Sequence, residues 1–220
     1  MKTTDNFKGF IFDLDGTLLD SMGLWEEVYA RTLESFGKKM PESYLPAINH
    51  LSVSDGAEYT VSAFGLEASP QSVVERWKSF AADAYAHNVT LKDGAAELLE
   101  VLRAAGKKIG IATALDRGLF EPCLARCGID GYFAAVSTVQ ETGRDKRFPD
   151  VYLNAAEKMG LSPSECVVAE DSFIGMQGAK KGGFFVAGVY DKSAAADAEN
   201  AKQVCDVYVH GLSELTVRFR

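Results

Sequence analysis

The chain has 220 residues, with 23 lysines and arginines against 31 aspartates and glutamates and a formal net charge of −8. That balance disfavours nucleic acid and anionic membrane as partners, since both would be bound against the protein's own field. A hydrophobic share of 47%, 25% charged residues and only 6 prolines suit a chain that fills a core, and exclude a disordered one.

In chain order, the opening MKTTDNFKGF lacks the apolar centre of a secretory signal, and no later run approaches the roughly 18–20 apolar residues that span a membrane. A cytoplasmic protein is expected. Gly9–Phe12 is a short apolar run bounded by turn residues, and similar runs recur at Ile109–Ala112, Phe133–Val136, Cys166–Ala169, Phe184–Val189 and Val207–Val209. These have the pattern of strands buried on both faces of a parallel sheet. Between 21 and 91 the pattern changes. Leu24, Trp25, Val28, Tyr29, Thr32, Leu33 and Phe36 keep a helical period, as do Val73, Val74, Trp77, Phe80, Ala81 and Ala84. Gly37, Pro41, Pro46, Gly56, Gly65 and Pro70 divide this stretch into about four short helices. The expected organisation is an α/β core made of 1–20 and 92–220, interrupted after its first strand by an all-helical domain at 21–91.

After the insertion, Lys92 or Asp93 can start a helix with apolar positions Ala95, Leu98, Leu99, Leu102 and Ala105, ended by Gly106 and the basic pair Lys107 and Lys108. Pro149 opens another, with Val151, Leu153, Ala156 and Met159 as its apolar positions and Gly160 as its stop. The alternation that follows predicts a Rossmann-like, doubly wound parallel sheet. Ala194–Ala196 read as part of an exposed helix of good propensity. Cys123, Cys127, Cys166 and Cys205 lack the paired clusters and histidines of a zinc site and are read as reduced, small apolar residues.

The chemistry begins at FDLDGTLLDS, from Phe12, where an apolar strand ends in two carboxylates at i and i+2 and then Gly16 and Thr17. Two anions this close call for a cation or a shared proton. A hard ion such as Mg2+ suits oxygen donors. A calcium loop starting at Asp13 fails, because Leu18 stands where glycine is required and Leu24 where glutamate is required. Thr113 follows the Ile109 strand, Lys146 lies in GRDKRFPD, and Glu170 with Asp171 directly follows the Cys166 strand. In a parallel sheet all strand C-termini share one edge, so these distant residues can converge on one crevice. Singly, each has an ordinary reading: Thr113 as a helix cap, Lys146 as a solvated cation, Glu170 and Asp171 as a cap for the helix containing Ile174.

Together, DLDGTL, GIATA, KRFPD and VVAEDSFIGMQGAKKGG resemble, in order, the four motifs of the haloacid dehalogenase superfamily. The resemblance spans nearly the whole chain and points to its magnesium-dependent phosphatase and phosphomutase branch, which carries a helical cap after the first strand. It implies Asp13 as the nucleophile that forms a phosphoaspartate and Asp15 as general acid and base. It further implies Thr113, the backbone N–H of Ala114 and Lys146 as phosphate contacts, and Asp13, Asp15 (through its carbonyl), Glu170 and Asp171 around Mg2+, with Glu170 bound directly or through water. Two positions depart from the family pattern. Ala114 stands where asparagine is frequent, and Arg147 follows Lys146 where proline is usual.

The implied function is Mg2+-dependent hydrolysis of a small phosphate ester of a sugar or organic acid, by a monomer. A sugar phosphomutase of the β-phosphoglucomutase type uses the same motifs and stays open, since the two differ in how long the cap keeps water from the phosphoaspartate. Asp15 disfavours the metal-free dehalogenase and phosphonate-cleaving branches. A receiver-type signalling domain would place a lone acceptor aspartate on a middle strand, and a degenerate phosphate binder would not keep the full acidic set. Within the cap, His50, Ser52 or Asp55 can face substrate, though His50 reads first as an ordinary loop residue. Arg76, Lys38 and Lys39 read equally as solvated charges, Trp25, Trp77 and Phe80 as cap core, and Arg117 as a neighbour for phosphate.

Overall fold

The structure, a computed structural model, describes residues 7–48, 51 and 53–219. The chain divides into two compact units, Met1–Asp20 with Thr90–Arg220, and Ser21–Val89. The first unit carries β1 (Gly9–Phe12), β2 (Leu19–Asp20), β3 (Thr90–Leu91), β4 (Lys108–Thr113), β5 (Ala135–Thr138), β6 (Cys166–Glu170), β7 (Phe185–Val189) and β8 (Val207–Val209). The second unit carries α1 (Met22–Ser35), α2 (Tyr44–Ile48), α3 (Val53–Phe64) and α4 (Pro70–His87). Back in the first lie α5 (Ala95–Ala104), α6 (Arg117–Arg126), α7 (Val139–Thr142), α8 (Asp150–Lys158), α9 (Phe173–Lys181), α10 (Ala198–Val204) and α11 (Leu212–Phe219).

Six strands form one parallel sheet in the order β5-β4-β1-β6-β7-β8. The fold is therefore α/β and Rossmann-like. β1 is buried throughout and central, so Phe12 stands opposite Ile111 of β4 on one side and Ala169 of β6 on the other. The chain winds outward in both directions from β1, which places the crevice of an open α/β sheet at its C-terminal end. One face of the sheet, with Ile11, Ala112 and Val168, packs against Val151, Tyr152 and Ala155 of α8 and Met176 and Ala179 of α9. On α11, Phe219 closes against Phe10 with ring centroids 4.9 Å apart.

The helical unit has a core of its own. Leu24, Val28 and Leu33 of α1 and Val73, Trp77 and Ala81 of α4 are buried, and Tyr29 meets the Trp77 ring edge-on at 5.1 Å. Thr60 donates its hydroxyl proton to the Gly56 carbonyl at 2.7 Å, so the buried Tyr44 hydroxyl donates to Thr60 at 2.6 Å. Burial pushes the Tyr44 phenol up to about 12.

Several expected elements are placed differently. The strand read at Phe133–Val136 runs instead over Ala135–Thr138, because a 3-10 turn at Asp130–Tyr132 delays pairing until Ala135 meets Gly110. Its last residues, Ser137 and Thr138, are polar and carried no apolar signal. The alanine cluster lies in a 3-10 helix at Lys192–Asp197, capped by Asp191 through Ser193 N–H, and α10 begins only afterwards. The insertion's return falls at Thr90, since Thr90 and Leu91 pair antiparallel with Asp20 and Leu19. Two-residue strands have too little length to show a period. Cys123, Cys127, Cys166 and Cys205 form no disulfide among the described residues, and burial raises the Cys123 thiol to about 12.

Candidate active site

The strand ends supply the site. Asp13 directly follows β1, Glu170 is the last residue of β6, and the register sets them side by side. Asp13, Glu170 and Asp171 are all buried, and each presents a carboxylate oxygen within 4.8 Å of the others. Lys146 lies between them. Its Nζ is 2.5 Å from Asp13 Oδ1 and 3.1 Å from Glu170 Oε2, with only 12% of the side chain exposed. The reading of Lys146 as a solvated cation is thereby excluded. Burial is the largest single effect and opposes its charge, but the Asp13 and Glu170 carboxylates together outweigh it and hold Lys146 protonated, well above the ordinary lysine value.

One ammonium does not balance three buried carboxylates. Burial, and then the charge of Asp13, drive Glu170 well above the ordinary range and Asp171 up to about 7. Such a set is under-neutralised and made of hard oxygen donors, so its chemistry fits a divalent cation of the Mg2+ type. Asp13, Glu170 and Asp171 are the residues that could hold it. The Asp15 carboxyl is not part of this cluster, and Asp15 instead begins the turn through a backbone bridge to Leu19.

Three close approaches shape the cluster. Gly16 has φ +76°, and a Cβ there would lie 2.3 Å from Asp171 Oδ2. A Cβ on Gly175 would lie 2.0 Å from Glu170 Oε1, and one on Gly178 would lie 2.0 Å from the Lys146 carbonyl oxygen. The first turn of α9 therefore presses on Glu170, and its next turn carries the Lys146 loop. Ser172 caps α9 by accepting Gly175 N–H at 3.1 Å and donates to Glu170 Oε1 at 2.6 Å. Thr17 Oγ1 reaches Asp171 Oδ1 at 3.4 Å. Tyr152 sets its ring 5.9 Å from Lys146 Nζ and buries a hydroxyl that has no hydrogen-bond partner among the described residues. Sequence reasoning missed Ser172, Gly175, Gly178 and Tyr152. The glycines three apart in GMQG, inside a helix that glycine disfavours, were the available signal.

Thr113 is the final residue of β4, next to β1, and is 1% exposed. It does not cap α6, because Asp116 does so through Gly118 N–H. Its Oγ1 accepts Leu115 N–H at 3.1 Å, which leaves the hydroxyl proton as the group it can offer. The exposed Ala114 adjoins it. Arg117, read as a neighbour for phosphate, has carboxylate partners of its own. Its guanidinium binds Glu141 at 2.6 Å and Glu121 at 3.0 Å. In the helical unit, Arg76 is not simply solvated, since it donates to Ser35 Oγ at 2.9 Å and lies 4.4 Å above the Phe36 ring. Lys38 and Lys39 are exposed, Trp77 is core, Phe80 lies 4.5 Å beneath Arg31, and Asp55 occupies the exposed first turn of α3. His50 and Ser52 lie outside the described residues.

A family model for haloacid dehalogenase-like hydrolases matches residues 10–189, from β1 through β7. The chain belongs to that family. Hexitol phosphatase A of Escherichia coli K12 is 32% identical over 96% of this chain and 94% of its own length. A phosphorylated carbohydrates phosphatase of Thermotoga maritima is 27% identical over 79% of this chain and 80% of its own. A solved Thermotoga maritima structure, provisionally assigned as a β-phosphoglucomutase, superposes with TM-score 0.80 at 25% identity, covering 92% of this chain and 94% of that one. The family member described here thus stands in the phosphatase and β-phosphoglucomutase-like branch, and its enzyme class is phosphatase. Among the described residues no helix is long and apolar enough to cross a membrane.

Proposed function

We propose that the protein hydrolyses a phosphate monoester of a small polyol, sugar or organic acid through a phosphoaspartate on Asp13, with Mg2+ held by Asp13, Asp171 and Glu170. The observation that carries this reading is the meeting of Asp13, Lys146, Glu170 and Asp171 at the tip of β1. Relatives named for hexitol and carbohydrate phosphates support the substrate class.

In this reading a carboxylate oxygen of Asp13 attacks phosphorus, the P–O bond to the substrate breaks, and Asp15 gives its proton to the departing oxygen. Water then attacks phosphorus and yields its proton to Asp15, releasing inorganic phosphate and restoring Asp13. Lys146 lies against Asp13 and compensates charge as the phosphoryl group transfers, while Thr113 and the N–H of Ala114 donate to its oxygens. A bound divalent ion supplies further neutralisation of the anionic phosphoryl group.

A panel of sugar, hexitol and organic-acid phosphates tests the proposal by phosphate release. Activity is expected with Mg2+, and its loss on chelation and in Asp13→Asn by at least about 10³-fold, the scale of a missing covalent route. Turnover that survives both treatments overturns it. The mutase reading has one supporting observation, the likeness to the β-phosphoglucomutase-assigned structure. Conversion of a hexose 1-phosphate to the 6-phosphate with a bisphosphate primer, faster than phosphate release, would favour it.

A further inference from the structure

Lys92 follows β3, the strand that completes the return from the helical unit, and belongs to no motif noted in the sequence. Its ammonium has three acceptors, matching its three protons: the Gly16 carbonyl at 2.7 Å, Asp191 Oδ2 at 2.8 Å and the Tyr190 carbonyl at 3.2 Å. Its backbone N–H donates to the Leu18 carbonyl at 2.9 Å, so one residue grips the 13–19 turn at two points. The far anchor is firm. Asp191 is 8% exposed and accepts both Ser193 N–H, at 2.9 Å, and Ser193 Oγ–H, at 2.7 Å. Tyr190 N–H is itself bonded to the Val209 carbonyl at 2.8 Å. The Lys92 side chain is 19% exposed, so water competes little for these bonds.

The gripped carbonyl has special leverage. Gly16 immediately follows Asp15, takes a left-handed φ of +76°, and lies where an added Cβ would strike Asp171. Its N–H is held by the Leu19 carbonyl at 3.0 Å, and Lys92 holds the other side of the residue. Rotation of the peptide after Gly16 would reorient the Asp15 segment and the N–H of Thr17 together.

We infer that Lys92 is a positioning residue which locks the Asp15–Gly16–Thr17 turn to the β7 end of the sheet and so aims the Asp15 carboxyl at the leaving oxygen. The inference rests on the phosphomonoesterase reading for its chemistry, and on the four bonds of Lys92 for its geometry. A group that aims the general acid matters most when the leaving group needs a proton. A sugar or hexitol alkoxide does, and p-nitrophenolate does not.

The test compares kcat/KM, which reports the first phosphoryl transfer, for a hexitol phosphate and p-nitrophenyl phosphate in the wild type and Lys92→Met. The expected loss is about 100-fold on the hexitol ester, the lower end of general-acid contributions, and under about 5-fold on the aryl ester. Asp191→Asn, which slackens the anchor, is expected to show the same selectivity at smaller amplitude, and serves if Lys92→Met does not fold. Amide hydrogen exchange across 14–19 should quicken about 10-fold or more in either variant while β6 keeps its protection. Equal losses on the two esters, or unchanged exchange in that turn, overturn the role of Lys92. A wild type that releases phosphate from neither ester overturns the phosphomonoesterase reading instead, and the exchange result still decides whether Lys92 holds the turn.

Discussion

Glycine inside a helix ordinarily costs about 1 kcal/mol relative to alanine, so Gly175→Ala in α9 would stabilise most helices. Here the sign should reverse, because the new methyl would meet Glu170 Oε1 at 2.0 Å and the carboxylate is itself tied to Lys146 and Ser172. The expected loss is about 1–3 kcal/mol, the usual cost of overpacking, read from urea unfolding midpoints. A more stable variant would show that Glu170 moves aside freely. The residue scale also shows how single letters mislead. Arg117 looked available to phosphate four positions after Thr113, yet Glu141 and Glu121 engage it. Lys146 looked equally available to solvent, yet Asp13 and Glu170 enclose it. Glu121 is a same-helix partner at i+4, but Glu141, Asp13 and Glu170 arrive from other elements, and spacing along the chain does not carry those.

Between elements, Glu141 of the four-residue α7 joins Arg117 of α6 at 2.6 Å to Lys158 of α8 at 2.7 Å, bracing two helices beside the edge strand β5. The hydrogen bond from Lys158, then that from Arg117, lowers the Glu141 carboxyl to about 2. A depressed carboxyl contributes stability above its unfolded value, and that contribution disappears as pH falls through the folded one. Glu141→Gln should therefore be less stable than the wild type at neutral pH, by under about 1 kcal/mol for so exposed a network. The gap should close between about pH 4.5 and about 2. A gap independent of pH, measured by denaturant titration, would assign the effect to packing. The strands with apolar runs were legible, and both the buried β1 and the partly exposed edge strand β8 fall on the residues read for them. The pair β2 and β3, the helix α7 and the polar end of β5 were not, because each is too short or too polar to show a periodic signal.

At the scale of the molecule, the aromatic cluster of Tyr29, Tyr44, Phe64 and Trp77 gives Ser21–Val89 a core separate from that of the sheet. Trp77→Ala should cost that unit about 3–5 kcal/mol. In hydrogen-exchange mass spectrometry, protection should fall within 21–89 and persist in β1, β4 and β6. Loss spreading through the sheet would mean that the two units unfold as one. Composition and apolar patterning by themselves determined a parallel α/β core with a helical insertion, and the order of the motif residues determined the family. Those properties follow from local periodicity and from residue identity, both of which survive in a linear string. Only the tertiary structure decided that β1 lies between β4 and β6, that α9 approaches Glu170 and the Lys146 loop through bare glycines, and that Lys92 grips the turn after Asp13. These depend on strand order and on contacts between residues far apart in the chain, such as Thr17 and Asp171 at 154 positions, and such contacts leave no period behind them.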